Sequence, residues 1–378
     1  MKVIDFEKIK RMNVCASNLL QTQLNDPFSS MDDNLKDQLN KEEKRLSRAA
    51  KREQYREAIR TQKFASDMMS ANDVSEAVQS IWASRDKPFG DHVGGGTIAV
   101  QLSDLHLGGT VAGLEARTDS NVYNLDVAAH RLAILAEKVI FFGAAHCASN
   151  LAILLTGDMF DSKIGKLRLD KVLNSENSAC ESYCIGRDLI FQFIDYLKES
   201  EVFGSLQIHG IAGNEARLYA ERGHSHVMAG DNFDALLNAD LSRRYTGSDV
   251  ESSFGVNRYV AEIEGWRILM IHGDQAIDKN CSQKTVQSLL GTHEADFGVS
   301  GHIHDTLVKG NWVRSASLIG TDYYAGDGLD LQGRATQNVF WLAPGQRNVY
   351  NIDLQKPDPA IEPFQIFDYS GAFGSFAA

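Results

Sequence analysis

The sequence predicts an α/β fold, and three observations carry that prediction. From Thr97 onward, short apolar segments alternate with long helical ones, the texture of strands joined by crossover helices. Each strand-like segment of this region runs into polar residues drawn from Gly, Asp, Asn and His. Beyond residue 255 the apolar segments become short and closely spaced, as in a β-rich half.

Taken in order, strands are expected at TIAVQL (97–102), LAILLT (151–156) and LQIHGIA (206–212), with helices around 126–147 and 176–199 between them. RYVAEIEG (258–265) and RILMIHG (267–273) flank a tight turn at Gly265. A helix follows near 282–293, then DFGVSG (296–301). Further strands are expected in NWVRSASLIG (311–320), NVFWLA (338–343) and NVYNIDL (348–354). The tail after Pro357 has Pro, Gly and aromatic residues but no periodicity.

Ahead of this body, residues 31–83 read as helical. Ser30 with Asp33 makes a capping-box-like start, and Leu35, Leu39, Leu46, Ala50 and Ile59 form a narrow apolar stripe in a charged field. A second helix is expected after Asn72, through Val74, Ala77, Val78 and Ile81 to Trp82. Lys87-Pro88-Phe89-Gly90 and Gly94–Gly96 mark a boundary. The expected organisation is a helical, basic-leaning extension over 1–90, a catalytic body over 97–355 and a tail over 356–378.

Composition narrows the class. A hydrophobic share of 43% and a charged share of 23% are those of a globular protein, and 378 residues can bury a sizeable core. No apolar run approaches the ~18 residues of a membrane span, and the start, MKVIDFEKIKRMNV, lacks the apolar stretch of a signal peptide. Cys15, Cys147, Cys180, Cys184 and Cys281 are scattered with no CxxC, which indicates neither a disulfide framework nor a zinc ribbon and fits a reducing cytoplasm. The net charge of −12 is uneven: residues 1–63 carry 14 Lys+Arg against 10 Asp+Glu, leaving 24 against 40 for the rest. Such a body repels a polyanion unless metal ions or a local basic patch offset it.

The chemistry sits where strands end. After 97–102 comes Ser103-Asp104-Leu105-His106; after 151–156, Gly157-Asp158-Met159-Phe160-Asp161; after 206–212, Gly213-Asn214-Glu215-Ala216-Arg217. His272-Gly273-Asp274 follows RILMI, and Gly301-His302-Ile303-His304 follows DFGVS. In open α/β sheets, ligands bind at the carboxyl ends of strands. Carboxylates, imidazoles and an amide oxygen without thiolate suit Mn2+ first, with Fe, Zn2+ or Mg2+ as alternatives. Seven such ligands suffice for two divalent ions ~3.5–4 Å apart, the arrangement that clamps a phosphoryl group. There is no Walker-type P-loop and no G-x-S-x-G elbow.

The ordered set D-x-H, GDxxD, GN, HG and GHxH, spread over roughly residues 98–304, resembles the calcineurin-like metallophosphoesterase superfamily. The resemblance implies a four-layer α/β/β/α sandwich of two mixed β-sheets, preceded here by the α-helical extension. It implies that Asp104, His106 and His304 bind one metal, that Asn214, His272 and His302 bind the other, and that Asp158 bridges them. Asp161 would orient a ligand imidazole. A water with its pKa lowered toward ~7 would be the nucleophile.

One position departs from that pattern. The superfamily usually reads GNH, with the histidine placed to protonate the leaving oxygen, whereas this chain has Glu215. A glutamate could serve as general acid if its pKa were raised; His224 or His226 could substitute. Arg217 resembles a phosphate-holding arginine of phage-type members and protein phosphatases, with a surface ion pair as the other reading.

Three functions follow. DNA is the expected substrate of an exonuclease-like nuclease, given the GN-x-x-R block, the basic extension and Ser315–Tyr324, which looks like the segment after GHxH in double-strand-break repair exonucleases. A phosphatase for phosphoproteins or small phosphate monoesters is the alternative, favoured by the acidic body. A metal-binding regulatory subunit impaired by Glu215 is the third. A protein partner through residues 31–83 is a further expectation, membrane attachment is not expected, and oligomeric state stays open.

Overall fold

The structure is a computed structural model, and it describes residues 95–111, 121–161, 175, 177–218, 229–274, 277, 280–321 and 333–373. The helices expected over 31–83, the histidines His224 and His226, and part of the 315–324 stretch lie outside these residues.

Two mixed sheets form the centre of the body. The first contains β1 (Thr97–Leu102), β2 (Asn150–Leu155), β3 (Ser205–Gly210), β4 (Val250–Phe254), β10 (Thr336–Ala343) and β11 (Gln346–Asp353), in the order β11-β10-β1-β2-β3-β4. The second contains β5 (Arg258–Ile263), β6 (Trp266–Ile271), β7 (Phe297–Ser300), β8 (Leu307–Lys309) and β9 (Trp312–Arg314), in the order β5-β6-β7-β9-β8. β1 to β4 run parallel, with Val100 opposite Ile153 and Ile153 opposite Ile208, while β10 joins β1 antiparallel.

The helices are α1 (Leu125–His146), α2 (Ala179–Glu199), α3 (Phe233–Arg244), α4 (Gln283–His293) and the short α5 (Ser370–Phe373). Asn124, Ser178, Asn232 and Ser282 cap α1 to α4, each side chain accepting a first-turn N–H. α1 ends on Cys147 in the left-handed region, at φ 49°.

Packing makes four layers. Alternate residues of the first sheet face opposite ways: Ile98, Val100, Leu102, Ile153 and Ile208 pack outward with Leu132, Leu135, Leu189, Phe193 and Leu241 of the helices. Ala99, Ala152, Leu154 and Ile211 face inward onto Ile268, Met270, Phe297 and Val299 of the second sheet. α4 covers the outer face of that sheet through Val286 and Leu290, which join Leu269 and Trp312. Burial of both faces explains why these strands read as continuous apolar runs rather than alternating ones. The α/β/β/α sandwich expected from the sequence is the architecture of the body.

The structure differs from the sequence reading over 311–320 and in the tail, and it adds α3, β4 and β8. NWVRSASLIG stays in the sheet only to Arg314; Ser315 N then donates to the Ser300 carbonyl and Leu318 N to that of Asp104, so the chain crosses toward β1. Residues 356–373, which lack periodicity, run across α1 and α2. Ile361, Phe364, Ile366 and Tyr369 pack on the core, and Gln192 exchanges two hydrogen bonds with the main chain of Gln365. Among the described residues, no helix is long and apolar enough to cross a membrane.

Candidate metal centre

The loops after β1 and β2 run side by side and are tied by main-chain bonds: Asp104 N to the Gly157 carbonyl at 3.0 Å, His106 N to that of Asp158 at 3.1 Å and Leu107 N to that of Met159 at 2.9 Å. The cost of holding them is visible in the backbone. Asp104, His106, Asp158, His302 and His304 all have positive φ, between 49° and 72°. Such residues cost on the order of 1–3 kcal/mol each and cluster where function over-determines the geometry. Glycines supply the clearance: a Cβ on Gly301 would stand 2.0 Å from Ser103 Oγ, and one on Gly213 would stand 2.1 Å from Asp158 Oδ1.

The result is two groups of converging ligand atoms. Asp104, His106 and His304 form one; Asp158, His272 and His302 form the other; within each group the atoms lie within 4.8 Å of one another. His106 Nε2 is 3.0 Å from His304 Nε2, and Asp104 Oδ1 is 3.4 Å from the same atom. In the second group His272 Nε2 is 2.9 Å from Asp158 Oδ2 and 3.0 Å from Asn214 Oδ1. Each group takes ligands from both sheets. Asp104 and Asp158 are essentially without solvent contact, whereas the His304 side chain is 18% exposed, so the centre opens on that side.

These donor sets fit cations. His272 Nδ1 donates to the Thr156 carbonyl at 2.9 Å, which leaves Nε2 to face the ligand group. Nε2, a carboxylate oxygen and an amide oxygen therefore converge, an arrangement stabilised by a proton on Nε2 or by a metal ion in its place. The electrostatics agree. Burial pulls the His272 imidazole down, but the Asp158 charge and hydrogen bond, aided by Asp104 and Asp274, outweigh it and hold it well above the usual imidazole range. Asp158 goes the other way: burial raises its carboxyl, yet His272 and His106 with the Glu215 N–H hold it far below the carboxylate range. Burial and the neighbouring His272 charge lower His302. The two groups fit a dinuclear metal centre.

The remaining sequence candidates stand around it. The Asp161 carboxylate lies 3.6 Å from His106 Nδ1, the place of a group that orients an imidazole. Arg217 Nη2 donates to Asp274 Oδ2 at 2.9 Å, joining the loop after β3 to the loop after β6. Glu215 N donates to Asp158 Oδ1 at 2.6 Å, and its carboxylate accepts from Asn214 Nδ2 at 2.8 Å.

Sequence reasoning missed several supports. Asp234, buried at the start of α3, accepts from the N–H groups of Asp158, Met159 and Gly213 and so clamps two ligand loops together. Burial and the Asp158 charge push its carboxyl up to about 7, against those N–H bonds, which favour the ionised form. Gln337 of β10 holds Ser103 from both sides, accepting from its N–H and donating to its carbonyl. Asn232-Phe233-Asp234 carried a readable helix-start signal, but nothing local ties Asp234 to Gly157–Asp161.

Neither a family model nor a curated protein matches the chain. Solved structures similar to it include a single mutant of Vps29 from Entamoeba histolytica, at 10% identity over 68% of this chain and 98% of that one, with a TM-score of 0.30. A predicted phosphoesterase from Streptococcus pneumoniae has 11% identity over 70% and 94%, with a TM-score of 0.30. A 5'-nucleotidase precursor from Thermus thermophilus has 13% identity over 71% of this chain and 56% of its own length, with a TM-score of 0.28. At such scores these likenesses carry no functional argument; the site's own geometry does.

Proposed function

We propose that this chain is a dinuclear metal-dependent phosphoester hydrolase of the calcineurin-like metallophosphoesterase type, with DNA phosphodiesters as its favoured substrate. The observation that carries the reading is the convergence of six Asp and His ligand atoms into two adjoining groups at the ends of strands from both sheets. Asp104, His106 and His304 would hold one ion, Asn214, His272 and His302 the other, and Asp158 both. When bound, two divalent ions supply Lewis-acid charge for a phosphoryl group and acidify a water.

The chain's own residues prepare that chemistry. Buried Asp104 and Asp158 keep their charge in a site shielded from water, where it acts more strongly than on the surface. Thr156 and Asp161 orient His272 and His106 from behind. Arg217, steadied by Asp274, is the proposed holder of a phosphate oxygen. The His304 side supplies the approach for substrate.

DNA is favoured by the GN-x-x-R block, the Ser315–Tyr324 stretch and the basic extension. The phosphatase reading keeps one observation in its favour: 24 basic against 40 acidic residues after position 63. A panel of bis-nitrophenyl phosphate, nitrophenyl phosphate, linear and circular DNA and a phosphopeptide, each with Mn2+, separates them. Diester preference with degradation of linear DNA supports the nuclease; phosphate release from the phosphopeptide with intact DNA overturns it in favour of the phosphatase.

A further inference from the structure

We propose that Glu215 is a positioning residue: its carboxylate fixes which end of the Asn214 amide faces the second ligand group. The inference rests on the metal-centre reading above and replaces a proton-donor role for this side chain.

Gly213 N donates to Asp234 Oδ2 at 2.8 Å and its carbonyl accepts from Asn232 Nδ2 at 2.9 Å, so the main chain leading into Asn214 is held from both sides. Gly213 also lies against Asp158 so closely that any Cβ would collide with it. With the backbone fixed, the Asn214 amide has two orientations, related by a half turn. In one, Oδ1 meets His272 Nε2, as observed at 3.0 Å. In the other, the NH2 group would meet His272 Nε2, and Oδ1, the end of the amide that can ligate a cation, would turn away from the group. An amide NH2 offers a cation no lone pair, so the flipped form would lack this ligand.

Glu215 decides between them. An accepting oxygen can bind the amide through its NH2 end alone, as Glu215 Oε1 does at 2.8 Å. The same residue's N–H takes Asp158 Oδ1 at 2.6 Å, leaving Oδ2 to face His272. One residue therefore aims two ligands of the second group, its side chain aiming Asn214 and its main chain Asp158. A partner of this kind, standing behind a ligand, is worth about 10–100-fold in metal affinity.

The test titrates Mn2+ alone into the full chain, its E215Q form and its E215A form by calorimetry, with bis-nitrophenyl phosphate hydrolysis measured alongside. A glutamine still offers Oε1 to Asn214 Nδ2, so E215Q is expected to take up two ions with affinities within about threefold of the parent. E215A is expected to bind one of its two ions 10–100-fold more weakly. Should E215A fail to fold, E215Q decides. Ala and Gln variants equal to the parent in affinity, or equally weakened, overturn the proposal. So does an E215Q form that binds both ions yet loses hydrolysis 100-fold or more, since Glu215 would then be the proton donor. A parent chain that binds no Mn2+ refutes the metal centre itself, a distinct result.

Discussion

Gln101 Nε2 donates to the Ser300 carbonyl at 2.8 Å, joining β1 of the first sheet to β7 of the second beneath the ligand groups. Both residues are fully buried. The same amide donates to Thr156 Oγ1 at 3.1 Å, and Gln101 Oε1 accepts from Asn338 Nδ2. Because each ligand group draws on both sheets, the centre exists only while the sheets keep their register, and this bond spans them.

Gln101→Leu should therefore act on stability and site together. It leaves the Ser300 carbonyl and the Asn338 amide short of buried partners, a loss of about 2–4 kcal/mol. Urea unfolding followed by circular dichroism measures it. A loss below roughly 0.5 kcal/mol would show that the network is not a tie between the sheets.

Between the same sheets, on β3 beside the edge strand β4, His209 stacks on Tyr259 with ring centroids 5.6 Å apart, and neither ring nitrogen has a hydrogen-bond partner among the described residues. Burial pulls its pKa down to about 4, with the Glu251 charge opposing only in part. As pH falls below the unfolded value near 6.5, the unfolded chain takes up this proton first. Stability from this group is thus unaffected above about pH 6.5 and declines toward pH 4, by up to about 3 kcal/mol. His209→Leu should flatten that part of the stability–pH curve; an unchanged slope between pH 6.5 and 4 would remove His209 as its cause.

At His272 the sign is reversed. Its imidazole is held protonated by Asp158 in the metal-free chain, so its contribution is complete below the ordinary imidazole value and lost only as pH climbs well past neutral. A metal ion must displace that proton. Mn2+ uptake at pH 7 should release about one proton from this site and tighten as pH rises. Calorimetry in two buffers of different ionisation enthalpy reads the number directly, and no release would mean that His272 is not displaced.

How much of this was legible in the sequence follows from how local each signal is. Asp104, His106, Asp158, His302 and His304 stood out because short apolar strands ended in ligand-type residues beside glycines, a pattern contained within a few positions. The turn at Gly265 was equally local, with Glu264 and Gly265 both at positive φ between β5 and β6. α3 and β4 were missed: α3 buries few residues, and β4, which among the described residues pairs with β3 alone, has just its first residue buried. The insertion of β10 between β11 and β1 has no sequence signal, since strand order is set by contacts more than 200 residues apart. Asp234, Gln101 and Gln337 look like ordinary polar residues until the fold places them behind the ligands. Glu215 was visible as a departure, but its bonds to Asn214 and Asp158 depend on the loop's closure.

The proposed phosphoester hydrolysis depends on two ions held by these ligands. Its most direct measurement is bis-nitrophenyl phosphate hydrolysis by the full chain, freed of metal and titrated with Mn2+, beside the Asp158→Asn form. Activity is expected to be absent without metal, to rise to saturation at two ions per chain, and to be lost in the Asp158→Asn form. Hydrolysis that needs no metal, saturates at one ion, or survives Asp158→Asn at the parent rate would contradict it.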